Sequence, residues 1–250
     1  MTDFPNTKNP WYTLSRNAWN ALDWLYPPRC CNCDRNGVIF CSECVDSIQL
    51  IGRNICLLCG YPIISKSSVC PVCRTENPPF KALRSWGAHQ GALRKAIIAL
   101  KYRRNLDLGH FFALQLAEII KSEAWEIDLI VPVPLSAGHH KQRGYNQAAC
   151  ISKNLAWLLG LPHSSTATKR VKKTQEQITL DVNERFTNLS NAFYGNPATL
   201  EKRRVVIIDD VITTGATMLN CAKAVELAGA ECVYGLSVGR ALLRLPRAED

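Results

Sequence analysis

Four Cys-x-x-Cys knuckles lie close together in this chain: Cys30/Cys33, Cys41/Cys44, Cys56/Cys59 and Cys70/Cys73. They constrain the N-terminal third more than any other feature does. A knuckle sets two thiolates along one edge of a tetrahedron, and a second knuckle completes the all-sulfur cage that Zn²⁺ prefers. So short a module cannot bury an adequate apolar core, and roughly 10–16 kcal/mol of metal binding per site supplies the missing folding energy. Order along the chain assigns one zinc to Cys30, Cys33, Cys41 and Cys44 and a second to Cys56, Cys59, Cys70 and Cys73. An interleaved cross-brace, first knuckle with third, is the alternative, and Cys31 is the alternative to Cys30. Four thiolates leave no open position for water, so both metals are structural. Disulfides are the competing use of these cysteines, and a reducing compartment disfavours them. Cys150, Cys221 and Cys232 fall in helix or strand patterns and read as small core residues.

No apolar run approaches the roughly 20 residues that span a bilayer. The chain opens with Asp3, Pro5 and Asn6 in place of a basic-then-apolar leader, so the expected location is the cytoplasm. Trp11, Leu14, Ala18, Ala21 or Leu22, and Leu25 recur at helical spacing until Pro27 and Pro28 end the pattern. Trp11, Trp19 and Trp24 are suited to a peripheral membrane contact. Packing against the ribbons or a partner is the favoured use, because the stretch has few bases. Asn77-Pro78-Pro79 marks a boundary. The expected organisation is a helical segment over 1–27, a double zinc ribbon over 28–77 and a larger domain over 80–250.

From Phe80 onward strands and helices alternate. Leu83–Ala88 is a strand. Leu93, Ala96, Ile97 and Leu100 form one helical face, and Leu108–Lys121 gives a second helix. Leu129–Val133 is a short buried strand, Asn146–Leu159 a helix closed by Gly160, and Cys232–Val238 the last strand. Such alternation means an α/β domain: a mainly parallel sheet covered by helices on both faces, with ligands at the carboxyl ends of its strands.

The stretch Val205–Met218 carries the chemistry of that edge. Val205–Ile208 is a buried strand, Asp209 and Asp210 stand at its end, and Thr213, Thr214, Gly215, Ala216 and Thr217 lead into a helix over Ala216–Ala228. Loop N–H groups and the positive helix end cradle a phosphate. Thr214 and Thr217 add hydroxyl donors, Gly215 lets the backbone approach closely, and paired carboxylates accept from a ribose diol.

The formal net charge is +9, and it is unevenly placed. Arg94, Lys95, Lys101, Arg103 and Arg104 follow one another closely. No acid interrupts 129–175, which holds Lys141, Arg143, Lys153, Lys169, Arg170, Lys172 and Lys173. Basic stretches of this kind attract phosphates of nucleotides or nucleic acid. Arg143, in the loop after Val131-Pro132-Val133-Pro134, suits a second phosphate cluster, because a guanidinium fork matches phosphate oxygens. His139 and His140 beside it share no helical face and have no acid nearby, which argues against metal or acid–base work. Lys169–Phe193 is a long polar segment, a basic lid able to neutralise a pyrophosphate and exclude water.

The Val205–Thr217 stretch resembles the 5-phosphoribosyl-1-pyrophosphate (PRPP) signature of the type I phosphoribosyltransferases. That resemblance implies that Asp209 and Asp210 hold the ribose hydroxyls and that Thr213–Thr217 holds the 5′-phosphate, with Mg²⁺ as companion. A longer ordered set is similar to the ComF-type proteins, which include ComFC and the GntX-like proteins. It comprises the four knuckles, Leu100-Lys101-Tyr102, Val131-Pro-Val-Pro, Arg143-Gly-Tyr-Asn-Gln147, Thr174…Gln177…Leu180…Arg185…Asn188…Ala192-Phe193, and the PRPP signature. The likeness covers about residues 28–240. It implies a zinc ribbon module fused to a phosphoribosyltransferase-like domain, acting in natural transformation on incoming single-stranded DNA with a helicase-like partner. Asp209, Asp210 and Arg143 are then the catalytic candidates, joined in PRPP binding by Lys141, Lys169, Arg170, Lys172, Lys173 and Thr213–Thr217. The acceptor half of such a transferase is not spelled out, and no general base is evident. A metabolic phosphoribosyltransferase, a non-catalytic DNA-binding factor and a ribbon platform for another protein are the competing readings.

Overall fold

The computed structural model describes residues 28–63, 67–103, 105–135, 144–171 and 193–242. The expected helical segment over 1–27 lies outside them. In chain order the elements are α1 (Ser42–Asp46), α2 (Pro71–Glu76), β1 (Ala82–Ala88), α3 (Gly91–Tyr102), α4 (Asp107–Ser122), β2 (Leu129–Pro132) and α5 (Gln147–Leu159). Then come β3 (Thr168–Arg170), β4 (Phe193–Gly195), α6 (Pro197–Leu200), β5 (Arg204–Ile212), α7 (Ala216–Leu227) and β6 (Cys232–Arg240).

The main sheet has the order β1-β6-β5-β2, and every pair in it is parallel. Strand residues alternate between two cores. Val206, Ile208, Leu236 and Val238 pack with Leu93, Ile97, Phe112 and Leu155 of α3, α4 and α5. Val205, Ile207, Leu129 and Val131 pack with Met218, Cys221 and Val225 of α7. Helices therefore cover both faces, as expected for strands with apolar residues on both sides. Asn146 caps α5 by accepting from the Ala149 N–H at 3.4 Å, and Gly160 ends it at φ 65°.

Three expectations need correction. β5 does not stop at Ile208: its pairing with β6 runs on to Ile212 opposite Arg240, carrying both aspartates inside the strand. β6 likewise reaches Arg240, two residues past Val238. The segment from Lys169 is not loop at its ends, because β3 pairs antiparallel with β4, placing Lys169 opposite Tyr194 and Arg170 opposite Phe193.

The ribbons close the free edge of β1. Leu50 bridges Gly87, the Ile51 N–H donates to Trp86 O (3.1 Å), and the Ala88 N–H donates to Gln49 O (2.8 Å). Further along, the Leu83 N–H donates to Leu58 O of the third knuckle at 2.7 Å. A bare edge strand invites intermolecular pairing, and these contacts satisfy it. Gly60 permits the approach: at φ 65°, a Cβ there would sit 2.2 Å from Leu83 O. Phe40, Cys41, Cys44 and Ile48 of the first ribbon join the core of α3, α4 and α5. Cys56, Cys70 and Cys73 form a small cluster of their own.

Candidate functional site

Each ribbon folds two knuckles toward one point. In the first, the Cys30 N–H donates to Arg35 O (2.8 Å) and the Asp34 N–H to Cys30 O (3.0 Å). In the second, the Cys56 N–H donates to Tyr61 O (2.8 Å) and the Gly60 N–H to Cys56 O (2.9 Å). These tight turns bring together the sulfurs of Cys30, Cys33, Cys41 and Cys44, and those of Cys56, Cys59, Cys70 and Cys73, each set within 4.8 Å. The pairing is sequential, not interleaved, and Cys31 belongs to neither set. Zn–S bonds of about 2.3 Å require tetrahedral edges of about 3.8 Å. The Sγ–Sγ separations fit: 3.8 Å for Cys30–Cys41, 3.6 Å for Cys33–Cys41 and 3.8 Å for Cys59–Cys70. Both sites are therefore built for structural zinc.

In each set one thiol has its pKa lowered by backbone hydrogen bonds. Burial would raise Cys30, but backbone hydrogen bonds at Cys33, Cys41 and Asn32 outweigh it and bring the pKa down to about 6. Cys56 is brought to about 7 in the same way, against its burial, by backbone groups at Cys70, Cys59 and Leu58. Burial pushes Cys31 up to about 12, which suits a core thiol.

The second site lies at the carboxyl edge of the sheet. Successive strand residues face opposite sides. Asp210 continues the side of Val206 and Ile208, and its Oδ1 accepts from Lys101 Nζ of α3 at 2.8 Å. Asp209 continues the other side, and its Oδ1 accepts the Asp210 N–H at 2.8 Å. The two acids are therefore not at a strand end as expected: they lie within β5, short of its end at Ile212, on opposite faces. Burial, reinforced by the Asp210 charge, pushes the Asp209 carboxyl up to about 7. His89, at the end of β1, has its pKa lowered by burial and by Lys101 and Arg94, with Asp210 pulling the other way.

Beyond β5 the chain turns through Thr213, Thr214, Ala216 and Thr217, all exposed. Gly215 takes φ 84° and precedes the first turn of the twelve-residue α7. A Cβ on Gly215 would meet nothing nearer than Ile212 Cγ2 at 3.9 Å, so the space over this bend is open. Thr214 Oγ1 accepts the Ala216 N–H at 3.4 Å. The bend thus leads exposed hydroxyl residues into a positive helix end, an arrangement that suits a phosphate. Mg²⁺ would find a carboxylate oxygen on either Asp209 or Asp210, which face opposite sides of β5.

Lys169 and Arg170 are exposed on β3, and the Arg170 guanidinium lies over the Phe193 ring at 5.5 Å. Thr168, just before them, donates to Pro132 O at the end of β2 (3.4 Å), which ties that strand to the same edge. Lys141, Arg143, Lys172 and Lys173 lie outside the described residues, as do His139 and His140. Two buried arginines in strand patterns, Arg84 and Arg240, were not singled out from sequence, although a charge inside an apolar strand is itself a signal. Arg84 Nε donates to Glu123 (2.8 Å) and its Nη1 to Leu57 O (2.9 Å), locking the third knuckle to β1.

Among known proteins, residues 21–76 match the double zinc ribbon domain family. The chain is 32% identical over 198 residues to the DNA utilization protein YhgH of Salmonella typhimurium, covering 77% of this chain and 86% of that protein. It is 31% identical over 224 residues to competence protein F of Haemophilus influenzae, covering 85% of this chain and 97% of that protein. A purine phosphoribosyltransferase from Pyrococcus horikoshii superposes on 58% of this chain and 93% of its own, at 17% identity and a TM-score of 0.32. No described helix is long and apolar enough to cross a membrane.

Proposed function

This chain belongs to the competence protein F family, and on that premise we propose that it binds Mg²⁺ and PRPP along its Asp209–Thr217 edge and handles single-stranded DNA in natural transformation. The observation that carries the ligand reading is the open bend at Gly215. It leads from the end of β5, the strand that carries both acids, into the N-terminus of α7 at the carboxyl edge of a parallel sheet. In this reading the Thr213–Thr217 amides and hydroxyls hold the 5′-phosphate. Asp209, on the α7 side of β5 nearest that bend, takes the ribose hydroxyls, while Asp210 is available to the metal once it parts from Lys101. Arg143, Lys141, Lys169, Arg170, Lys172 and Lys173 supply positive charge for the pyrophosphate. Mg²⁺ adds charge at the same oxygens. The ribbons over 28–77 and the sheet domain over 80–250 act as two modules, with the ribbons filling the place of an acceptor-binding hood.

The DNA reading rests on the relatives' names and on the basic surface of α3, where Arg94, Lys95 and Arg103 are exposed beside Tyr102. A helicase-like partner would work on the same strand.

Thermal unfolding with and without Mg²⁺-PRPP tests the ligand assignment. Ligand at a hundred times its Kd stabilises by about 2.7 kcal/mol, a rise of about 5–10 °C for a chain of this size. The double variant Asp209→Asn, Asp210→Asn should show no rise. Absence of a rise in the native protein would overturn the assignment.

A further inference from the structure

Arg240 is the last residue of β6, only 5% exposed, and it forms no ion pair with a carboxylate among the described residues. Its side chain reaches away from the sheet toward the second ribbon. Nη1 donates to Cys59 O at 2.6 Å, and the guanidinium lies 5.3 Å from the Tyr61 ring centroid. Nε has no hydrogen-bond partner among the described residues.

A buried guanidinium cannot shed its proton, and without a counter-charge its burial is costly. What it reaches is Cys59 of the second ligand set, whose four sulfurs lie within 4.8 Å of one another. Burial disfavours its charged form, while Cys59, Tyr61, Cys73 and Cys56 favour it. Four thiolates on one Zn²⁺ leave a net charge of −2, which a single buried cation halves. The first ribbon has no buried cation of this kind among the described residues: Lys95 Nζ donates to Asn32 O at 3.3 Å, but from an exposed position. There the neutral amide of Asn32 donates to Cys44 Sγ at 3.0 Å, and Arg35 is exposed and taken by Glu43 at 2.7 Å. Cys33 of that set is also exposed, whereas every ligand of the second set is at least half-buried.

We propose that Arg240 is the outer-sphere counter-ion of the second zinc, which it fastens to the ligand edge of the sheet, so that the second zinc is held more firmly than the first. The edge connection is direct. The His89 N–H donates to Arg240 O at 2.8 Å, and the Ala241 N–H donates to Ile212 O at 2.8 Å. Outer-sphere partners of this kind typically change metal affinity by about 10–100-fold.

Zinc release from the full chain into excess EDTA, followed by chromogenic chelation or native mass spectrometry, reads this out. The native protein should lose one zinc quickly and one slowly, and Cys33→Ser should abolish the fast phase. Arg240→Met should accelerate the slow phase at least tenfold and leave the fast phase unchanged. Arg240→Lys keeps the charge but loses the fork, and should fall between, with at least a threefold acceleration. If Arg240→Met does not fold, Arg240→Lys decides by the same criterion. An unchanged slow phase in the folded variant overturns the assignment, as does equal acceleration of both phases or a single release phase in the native protein.

Discussion

Lys101 Nζ stands 2.8 Å from Asp210 Oδ1, joining the last turn of α3 to β5 at the carboxyl edge of the sheet. Both side chains are mostly covered, at 19% and 12% exposed, so this is more than a surface pair. Breaking a fully buried pair costs about 3–5 kcal/mol, and partial exposure reduces that to about 1–3 kcal/mol. Lys101→Met should lower the unfolding free energy read from urea titration by that amount. A divalent cation can stand in for the missing ammonium, so millimolar Mg²⁺ should restore part of the loss and stabilise the variant more than the native chain. Equal responses to Mg²⁺ would show that Asp210 does not offer its carboxylate to metal.

Asp209 makes stability depend on pH with a definite sign. Burial first, then the Asp210 charge, raises its folded pKa to about 7, against about 3.9 in the unfolded chain. Between those values the folded state holds a proton that the unfolded state has released. Stability is therefore fullest below about pH 4, falls as pH rises, and the whole penalty is present above about pH 7. Asp209→Asn removes the charge yet can still accept the Asp210 N–H. It should melt above the native protein, with a gap at pH 8 about twice that at pH 5.5. The same variant should lose the Mg²⁺-PRPP response, since groups kept at a cost in stability mark functional sites. A gap independent of pH would refute the shift.

The zinc sites were legible because a knuckle is local chemistry: spacing alone brings two thiolates together, and the structure then chose sequential over interleaved pairing. The parallel sheet was legible from apolar runs such as Val205–Ile208. What sequence could not show depends on distant pairing. Nothing in Asp-Asp-Val-Ile announces a strand; Asp209–Ile212 is extended because Ser237–Arg240 lies alongside it. That extension moves the two carboxylates to opposite faces. Lys101 read as one of a cluster of phosphate-attracting bases, because its carboxylate partner Asp210 is remote in sequence. Arg240 ends an apolar strand, a local signal that a buried charge is present, but its partner comes from the ribbon folding back onto β6.

Two glycines with positive φ should respond differently to alanine. At Gly215 the bend is open, so Gly215→Ala pays only for the left-handed conformation, about 1–2 kcal/mol. The fold should survive while the Mg²⁺-PRPP response weakens. At Gly60 the added Cβ would also collide with Leu83 O at 2.2 Å. The clash is backbone on backbone and cannot be relieved by a rotamer change. Gly60→Ala should cost more than about 3 kcal/mol, and hydrogen exchange should show loss of protection at the Leu83 amide, which donates to Leu58 O. Similar losses at both positions would mean that the third knuckle is not pressed against β1.

Single-stranded DNA offers the last test, because electrostatic and stacking contributions separate by salt. Arg94, Lys95 and Arg103 are exposed on or just beyond α3, and Tyr102 is 56% exposed among them. Each phosphate neutralised on a single strand contributes about 0.7 to the slope of log K against log salt. Replacing the three bases by alanine should therefore flatten that slope by about 2 and weaken binding most at low salt. Tyr102→Ala should instead weaken binding by about 1–3 kcal/mol with the slope unchanged, because stacking releases no counterions. Fluorescence anisotropy with a labelled oligothymidylate across a salt series reads both numbers. If the triple variant keeps the native slope, the DNA does not run along α3.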